Sequence, residues 1–387
     1  MYIELTAPQR ELRAELRRYF AGLVSPDERA VLLRERHGEV YRRVVRRMGA
    51  DGWLGVGWPE EYGGRGFGGI EQHIFADEAA RADVQLPSVT LQTVGPTLQV
   101  FGSAEQKAFF LPKILAGQVH FAIGYTEPDA GTDLASLRTS AVRDGDSYVV
   151  NGQKIFTTGG HDADYIWLAA RTDPAAPRHK GISILIVDTR DLGYSWTPII
   201  TCDGAHHINA TYYADVRVPA NRLVGKENQG WKLITTQLNH ERVMLGPAGR
   251  IRGLYDRVRE WASARATSGG TPLLDLPDVR RALAETLVTV RINELLNWQV
   301  ATSAEVDIAD ASATKIFGSE RIQRISRLLA EVVARHGELA DPSTAELSEW
   351  LDVLSRRNLV LTFGGGVNEI QRELIASAGL GLPRVPR

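Results

Sequence analysis

An α+β fold laid out in three successive zones is what this 387-residue sequence predicts. Three observations carry that expectation. Before about residue 120, apolar side chains recur at helical spacing. Residues 121–228 switch to short β-rich runs separated by Gly, Asp, Asn and Pro turns. From 229 the helical period returns and persists. The reading is an N-terminal helical domain over 1–120, a middle β domain over 121–228 and a C-terminal helical bundle over 229–387.

Thr6-Ala7-Pro8-Gln9 reads as a capped helix start, with Pro8 early and Gln9 placed to close a capping box. Leu12, Leu16, Tyr19 and Phe20 then form one stripe. A single helical stretch is expected over 27–50, and the glycine-rich WLGVGWPEEYGGRGFGG at 53–69 is a tightly turned loop. Helical patterns follow at 70–80 and 87–101, and Ser103-x-x-Gln106 opens another. SYVVNG, YIWLAAR, GISILIVD and TYYADVRV are strand candidates for a mostly antiparallel barrel or sandwich, with Asn151-Gly152 as a type I′ hairpin signal. In the last zone Trp231, Leu233, Ile234, Leu238, Met244 and Leu245 form one helical run. Long helices are expected over 280–303, 305–335 and 345–361, with loops at 265–279 and 336–344 and an extended tail.

Composition excludes several functions. Hydrophobic residues make up 43% of the chain, enough for more than one core, and a formal net charge of -2 gives no drive toward nucleic acid or a membrane surface. Cys202 is the only cysteine, so neither an intramolecular disulfide nor a cysteine metal cluster is available. The opening MYIELTAPQRELRAEL lacks the order of a secretory signal, and no run reaches the ~20 apolar residues of a membrane span. A cytoplasmic location is therefore the expectation. His161, His206 and His207 lack metal-ligand spacing, and no metal site is expected. No G-x-G-x-x-G follows a strand, and no G-x-S-x-G elbow is present.

Three stretches carry candidate chemistry. GYTEPDAGTD at 124–133 ends a strand in a turn rich in backbone donors, suited to a carbonyl or phosphate. By itself a structural turn is the plainer reading. In YVVNGQKIFTTGG at 148–160 the period of two puts Phe156 and Thr158 on one side, where a ring and a hydroxyl suit a planar cofactor. The alternative is an ordinary hairpin. In NHERVMLGPAG at 239–249, Glu241 lies within an otherwise apolar helical run. A desolvated carboxylate there has a raised pKa and suits a general base; a salt-bridged surface residue is an equal alternative.

Taken in order over nearly the whole chain, these stretches resemble the acyl-CoA dehydrogenase family. WPEEYGG at 58–64 is similar to the family's first-domain loop, and GPTLQVFGSAEQKAFFLPKILAG at 95–117 to its helical "G-t-e-Q-k…l-P" stretch. YTEPDAGTD resembles "TEPxAGSD", and NGQKIFTTG resembles "NGxKxWITNG" with Phe156 at the tryptophan position. DVRVPANRLVGKENQGW at 215–231 and GLGLPR at 379–384 complete the match. The resemblance implies the family fold, with a four-helix bundle at the C-terminal end, FAD as cofactor and an electron-transfer flavoprotein as acceptor. It implies that Ile123, Tyr125, Thr126, Gly131 and Thr132 line the flavin ring and pyrophosphate, with Phe156 and Thr158 against the isoalloxazine.

Two departures refine what the resemblance implies. The commoner catalytic glutamate precedes the glycine of "Y-E-G-T", but here FGGGVNEIQR puts Gly365 at that position. A minority branch sets the base just before an arginine on a bundle helix, and Glu241-Arg242 matches it. Glu241 is thus the expected α-proton base, with Arg242 and Gly365 on the substrate side. The second departure is in the elements that hold a neighbouring subunit's FAD. "R-x-Q-F-G" is replaced within EWASARATSGGTPL, and of "hGGxGY" only His336-Gly337 remains. A non-identical partner of the same family is therefore expected. The pattern resembles actinobacterial α2β2 dehydrogenases of steroid side-chain degradation, which implies a steroid-CoA with a short α-methyl side chain. The alternatives are a non-catalytic structural subunit of such a complex and a related flavoenzyme of this fold that does not use CoA.

Overall fold

The computed structural model describes residues 4–242, 246–303 and 307–383, with the side chains of 238–242 outside the description. Helix α1 (Ala7–Leu23) begins as its sequence dictates. The Thr6 hydroxyl accepts from the Gln9 N–H, the Gln9 side chain accepts from the Thr6 N–H, and Leu12, Leu16 and Phe20 are buried. The stretch expected as one helix over 27–50 is two, α2 (Pro26–Arg34) and α3 (Glu39–Ala50). The break is at Gly38, whose φ of 92° no helix interior holds. Helix α3 buries Tyr41, Val44, Val45 and Met48, one face at helical spacing.

Helix α4 (Gly69–Arg81) follows the glycine-rich loop. The 87–101 stretch is also composite: a π-helical run over Val89–Val94 feeds α5 (Gly95–Phe101). Pro96 accounts for the widening, because its ring would press on the carbonyl four residues back in a regular α-helix. Helix α6 (Ala104–Leu115) carries a second capping box, between Ser103 and Gln106.

Among the described residues eight strands form one sheet: β1 (Phe121–Gly124), β2 (Ser140–Asp144), β3 (Ser147–Thr158), β4 (Tyr165–Arg171), β5 (Ile182–Asp188), β6 (Tyr194–Ile200), β7 (His206–Pro219) and β8 (Leu223–Val224). Their order is β6-β7-β3-β2-β4-β5-β8, with β1 parallel to β4. Most pairings are antiparallel, as expected, and Tyr148, Val150, Ile166, Leu168, Leu185 and Val187 contribute to the core. Asn151-Gly152 is not the hairpin turn. It lies inside β3, and the β2–β3 turn falls at 145–146. The register against β7 slips between Val150 and Gly152, and a Cβ on Gly152 would come 2.5 Å from the Thr139 hydroxyl oxygen. Glycine is there for close backbone approach at a bulge, and the Asn151 amide exchanges hydrogen bonds with Asp215 on β7.

The C-terminal helices are α7 (Gly230–Arg242), α8 (Gly249–Ser263), α9 (Pro277–Thr302), α10 (Ile308–His336), α11 (Pro342–Arg357) and α12 (Asn368–Leu374). Two expected loops are shortened by caps. Pro277 opens α9, and the Asp341 carboxylate accepts from the Thr344 N–H to open α11. The chain is thus helical, then β, then helical. Its contacts, however, gather it into two units that ignore chain order. One comprises Met1–Ser25, Gly68–Gln85 and Arg242–Arg387; the other comprises Pro26–Phe67 and Leu86–Glu241. Within the first, α8 starts directly on α4: the Gly249 N–H donates to the Asp77 carboxylate, and a Cβ on Gly249 would lie 1.9 Å from the Asp77 carbonyl oxygen. Among the described residues no helix is long and apolar enough to cross a membrane.

Candidate active site

The turn after β1 is built around a buried ion pair. Glu127 N–H and carbonyl bond those of Ala130 at 3.0 and 3.1 Å, closing a tight turn over Pro128. The Glu127 carboxylate accepts from the Arg138 and Thr139 N–H groups at 2.7 and 2.8 Å, and from Lys154 Nζ at 2.8 Å. Lys154 is 0% exposed and also donates to the Tyr125 carbonyl at 3.0 Å. Burial pushes the Glu127 carboxyl up, but the Lys154 charge and the hydrogen bonds outweigh it and hold it below its ordinary value. Burial lowers Lys154 to about 8, with Glu127 opposing. The pair is therefore charged at neutral pH. No spacing in the sequence links the two residues, since their proximity exists only once β3 lies beside the turn.

This pair brings the candidate ring-side residues together. Ile155 N–H donates to the Thr126 carbonyl at 2.8 Å, which locks the turn to β3 next to Phe156. Ile123 on β1 stands opposite Trp167 on β4 and is half-buried. Gly131 and Thr132 are exposed, and their N–H groups have no acceptor in the chain among the described residues. The hydroxyls of Thr126, Thr132 and Thr158 are likewise unspent among the described residues. Phe156 is 57% exposed and has φ of 59°, in the left-handed region that bulky residues avoid. A bulge between Lys154 and Thr157 causes this. Strict alternation therefore fails there, with Lys154 and Thr157 both buried, while Phe156 and Thr158 both stay exposed.

Helix α7 is tied to the same region. Tyr125 donates its hydroxyl hydrogen to the Gln237 side-chain oxygen and accepts from Trp167 Nε1 at 3.1 Å. Gln237 is 1% exposed and lies on α7 four positions before Glu241. Nothing in the sequence pointed to this anchor. The side chains of Glu241 and Arg242 lie outside the described residues. Gly365 belongs to the other compact unit, in a loop between a 3-10 turn at Asn358–Thr362 and α12. Gly365 and Gly366 have φ of 67° and 95°, and neither N–H has an acceptor within the chain among the described residues. Consecutive unspent N–H groups in such a loop suit a carbonyl oxygen.

His161, His206 and His207 gather with His37 at the end of β3. The His161 and His206 rings stack at 4.0 Å, and Asn209 bridges them at 3.0 and 2.7 Å. Among the described residues no group of side chains is arranged to hold a metal. Burial, reinforced by His161, His207 and Arg36, lowers His37 from 6.5 to about 3. Between those pH values the unfolded chain binds a proton that the folded chain refuses, so stability falls as pH drops through the window. We expect His37→Phe to flatten the fall in melting temperature between pH 6.5 and about 4, measured by thermal denaturation.

A helical, β and helical chain with an exposed aromatic and unspent donors at the rim of its sheet has the construction of a flavin-dependent dehydrogenase. The chain belongs to the acyl-CoA dehydrogenase family and is an oxidoreductase of that family. The family's N-terminal, middle and C-terminal domain models match residues 6–118, 122–215 and 228–380. It is 68% identical over 388 residues to acyl-CoA dehydrogenase FadE29 of Mycobacterium tuberculosis, covering 100% of both chains. It is 49% identical over 401 residues to FadE26 of the same organism, again covering 100% of both. Among solved structures, the ChsE4-ChsE5 complex from Mycobacterium tuberculosis matches with a TM-score of 0.91 at 49% identity, over 100% of both chains. The Tcur3481-Tcur3483 steroid ACAD matches with a TM-score of 0.92 at 49% identity, also over 100% of both. Members of this family use FAD.

Proposed function

We propose that the chain is the catalytic subunit of an α2β2 acyl-CoA dehydrogenase that converts a steroid-CoA with a short α-methyl side chain to its trans-2-enoyl-CoA. The observation that carries the two-subunit reading is the fate of Arg265. In the stretch where homotetrameric relatives carry "R-x-Q-F-G", Arg265 donates to the Asp341 carboxylate and the Ser343 hydroxyl, and to the Trp261 carbonyl at 2.9 Å. Trp261 Nε1 donates to the Thr344 hydroxyl, and Thr344 in turn caps onto Asp341. The two segments that would reach toward a neighbour's FAD satisfy each other instead, and Asp341 adds a negative charge where a phosphate would need a positive one. The likeness to the ChsE4-ChsE5 complex and to the Tcur3481-Tcur3483 steroid ACAD supports the same reading.

The residues fit FAD. Phe156 offers an exposed ring, Thr126 and Thr158 offer hydroxyls, and Gly131 and Thr132 offer N–H groups for the pyrophosphate; when bound, FAD accepts the hydride from the substrate β-carbon. Glu241 takes the α-proton. Gly365 and Gly366 N–H groups hold the thioester oxygen, which makes that proton acidic enough for a carboxylate. Glycine at 365 leaves space for a wide acyl group, Arg242 lies beside the substrate without taking a proton, and an electron-transfer flavoprotein reoxidises the enzyme. The test is anaerobic mixing of the co-expressed complex with acyl-CoA while flavin absorbance is followed. A steroid-CoA with a three-carbon α-methyl side chain bleaches the flavin within seconds, and straight-chain acyl-CoA does so far more slowly. Equal bleaching by both sinks the substrate assignment, and no bleaching by any acyl-CoA favours a non-catalytic or non-CoA role.

A further inference from the structure

Lys315, like Lys154, is a buried lysine among the described residues, and it serves the glycine loop. It lies on α10, is 2% exposed, and spends its Nζ hydrogens on the Gly366 carbonyl at 2.7 Å, the Asn368 side-chain oxygen at 2.6 Å and the Thr362 carbonyl at 3.4 Å. Those acceptors bracket Gly365. Neighbours on the same face of α10 complete the clasp. The Ser312 hydroxyl donates to Gln371 at 2.8 Å, and the Asn368 amide donates to the Ser319 hydroxyl at 3.1 Å and to Glu320 at 3.2 Å. A Cβ on Gly366 would lie 2.7 Å from Gln371 Nε2, so the loop is also packed close. Thus the loop's ends are tied down through carbonyls, while the Gly365 and Gly366 N–H groups stay unspent among the described residues.

We infer that Lys315 is a positioning residue, holding the 362–368 loop so that the Gly365 and Gly366 N–H groups meet the thioester oxygen. This rests on the acyl-CoA reading of the preceding section. Burying an ammonium to bind three loop acceptors is costly, and an apolar side chain would fill the volume more cheaply. Burial lowers Lys315 to about 8, with the Glu369 and Glu320 carboxylates opposing, so the ammonium persists at neutral pH. A donor aimed at a developing oxyanion acts on the chemical step more than on binding, so loss of its alignment is read in kcat.

The experiment uses the co-expressed, FAD-loaded complex carrying Lys315→Met. The expected result is a fall in kcat on the order of 100-fold with little change in KM. In difference infrared spectra, the thioester C=O stretch of bound enoyl-CoA, lowered in the wild type, moves back toward its free-solution value. Lys315→Gln, which keeps a shorter N–H donor, gives intermediate values of both, and it replaces Lys315→Met if that variant does not fold. A loaded variant with wild-type kcat and an unshifted carbonyl stretch overturns the inference. Failure of the underlying function looks different: the wild-type complex itself then shows no flavin bleaching and no lowered stretch.

Discussion

Glu241→Gln in the assembled enzyme lowers the rate of flavin reduction by acyl-CoA on the order of 10³-fold, with FAD content and thermal stability nearly unchanged. Glutamine keeps the shape and removes only the proton acceptor, so the loss is that of general-base catalysis. The sequence places Glu241 at the end of α7, one turn beyond Gln237, whose side chain is held by Tyr125. A second variant makes the expectation sharper. Adding Gly365→Glu to Glu241→Gln returns a carboxylate at the commoner family position and restores part of the rate. Recovery is incomplete because Gly365 has φ of 67°, where a side chain costs about 1–2 kcal/mol. Anaerobic stopped-flow absorbance reads both variants, and near-normal reduction by Glu241→Gln alone removes Glu241 from the mechanism.

Glu127→Ala has the largest effect on stability. It strands Lys154, 0% exposed, without its 2.8 Å partner, and it leaves the Arg138 and Thr139 N–H groups without their acceptor. Breaking a buried pair from one side costs about 3–5 kcal/mol. Because the ring-side turn hangs on the same carboxylate, FAD retention falls along with the melting temperature. Replacing both partners, as Glu127→Gln with Lys154→Met, recovers much of the stability, since no uncompensated charge remains. The pH dependence follows from the sign of the shift. Glu127 is held below its ordinary 4.5, so its contribution is present above that value and is lost as pH falls through the lower, folded value. Denaturant unfolding of the single and double variants measures these terms, and equal destabilisation by both would contradict the account.

Much of the fold was legible because it is written locally. Both capping boxes, at Thr6/Gln9 and Ser103/Gln106, form as the spacing requires. The apolar runs YIWLAAR and ISILIVD are adjacent antiparallel strands, buried along most of their length. Misreadings arose where a local signal answers to a distant neighbour. Asn151-Gly152 has the chemistry of a turn, but Thr139 approaching from across the sheet uses the glycine for clearance. The helix expected over 27–50 breaks because one glycine in a polar run sets a left-handed residue. At the candidate site, the motif residues were legible, and their supports were not. Lys154 and Glu127 are 27 positions apart, and Gln237 lies 112 from Tyr125, so no spacing rule connects them. The grouping of α1 and α4 with the C-terminal helices is likewise a product of packing.

On the proposed reading, this chain carries an active site that a second subunit must complete. Flavin stoichiometry by absorbance, combined with mass from light scattering, tests it most directly. The account predicts that the chain expressed alone retains little FAD, and that co-expression with its partner gives an α2β2 particle with one FAD per heterodimer. A fully flavinated, active homotetramer of this chain alone would contradict it.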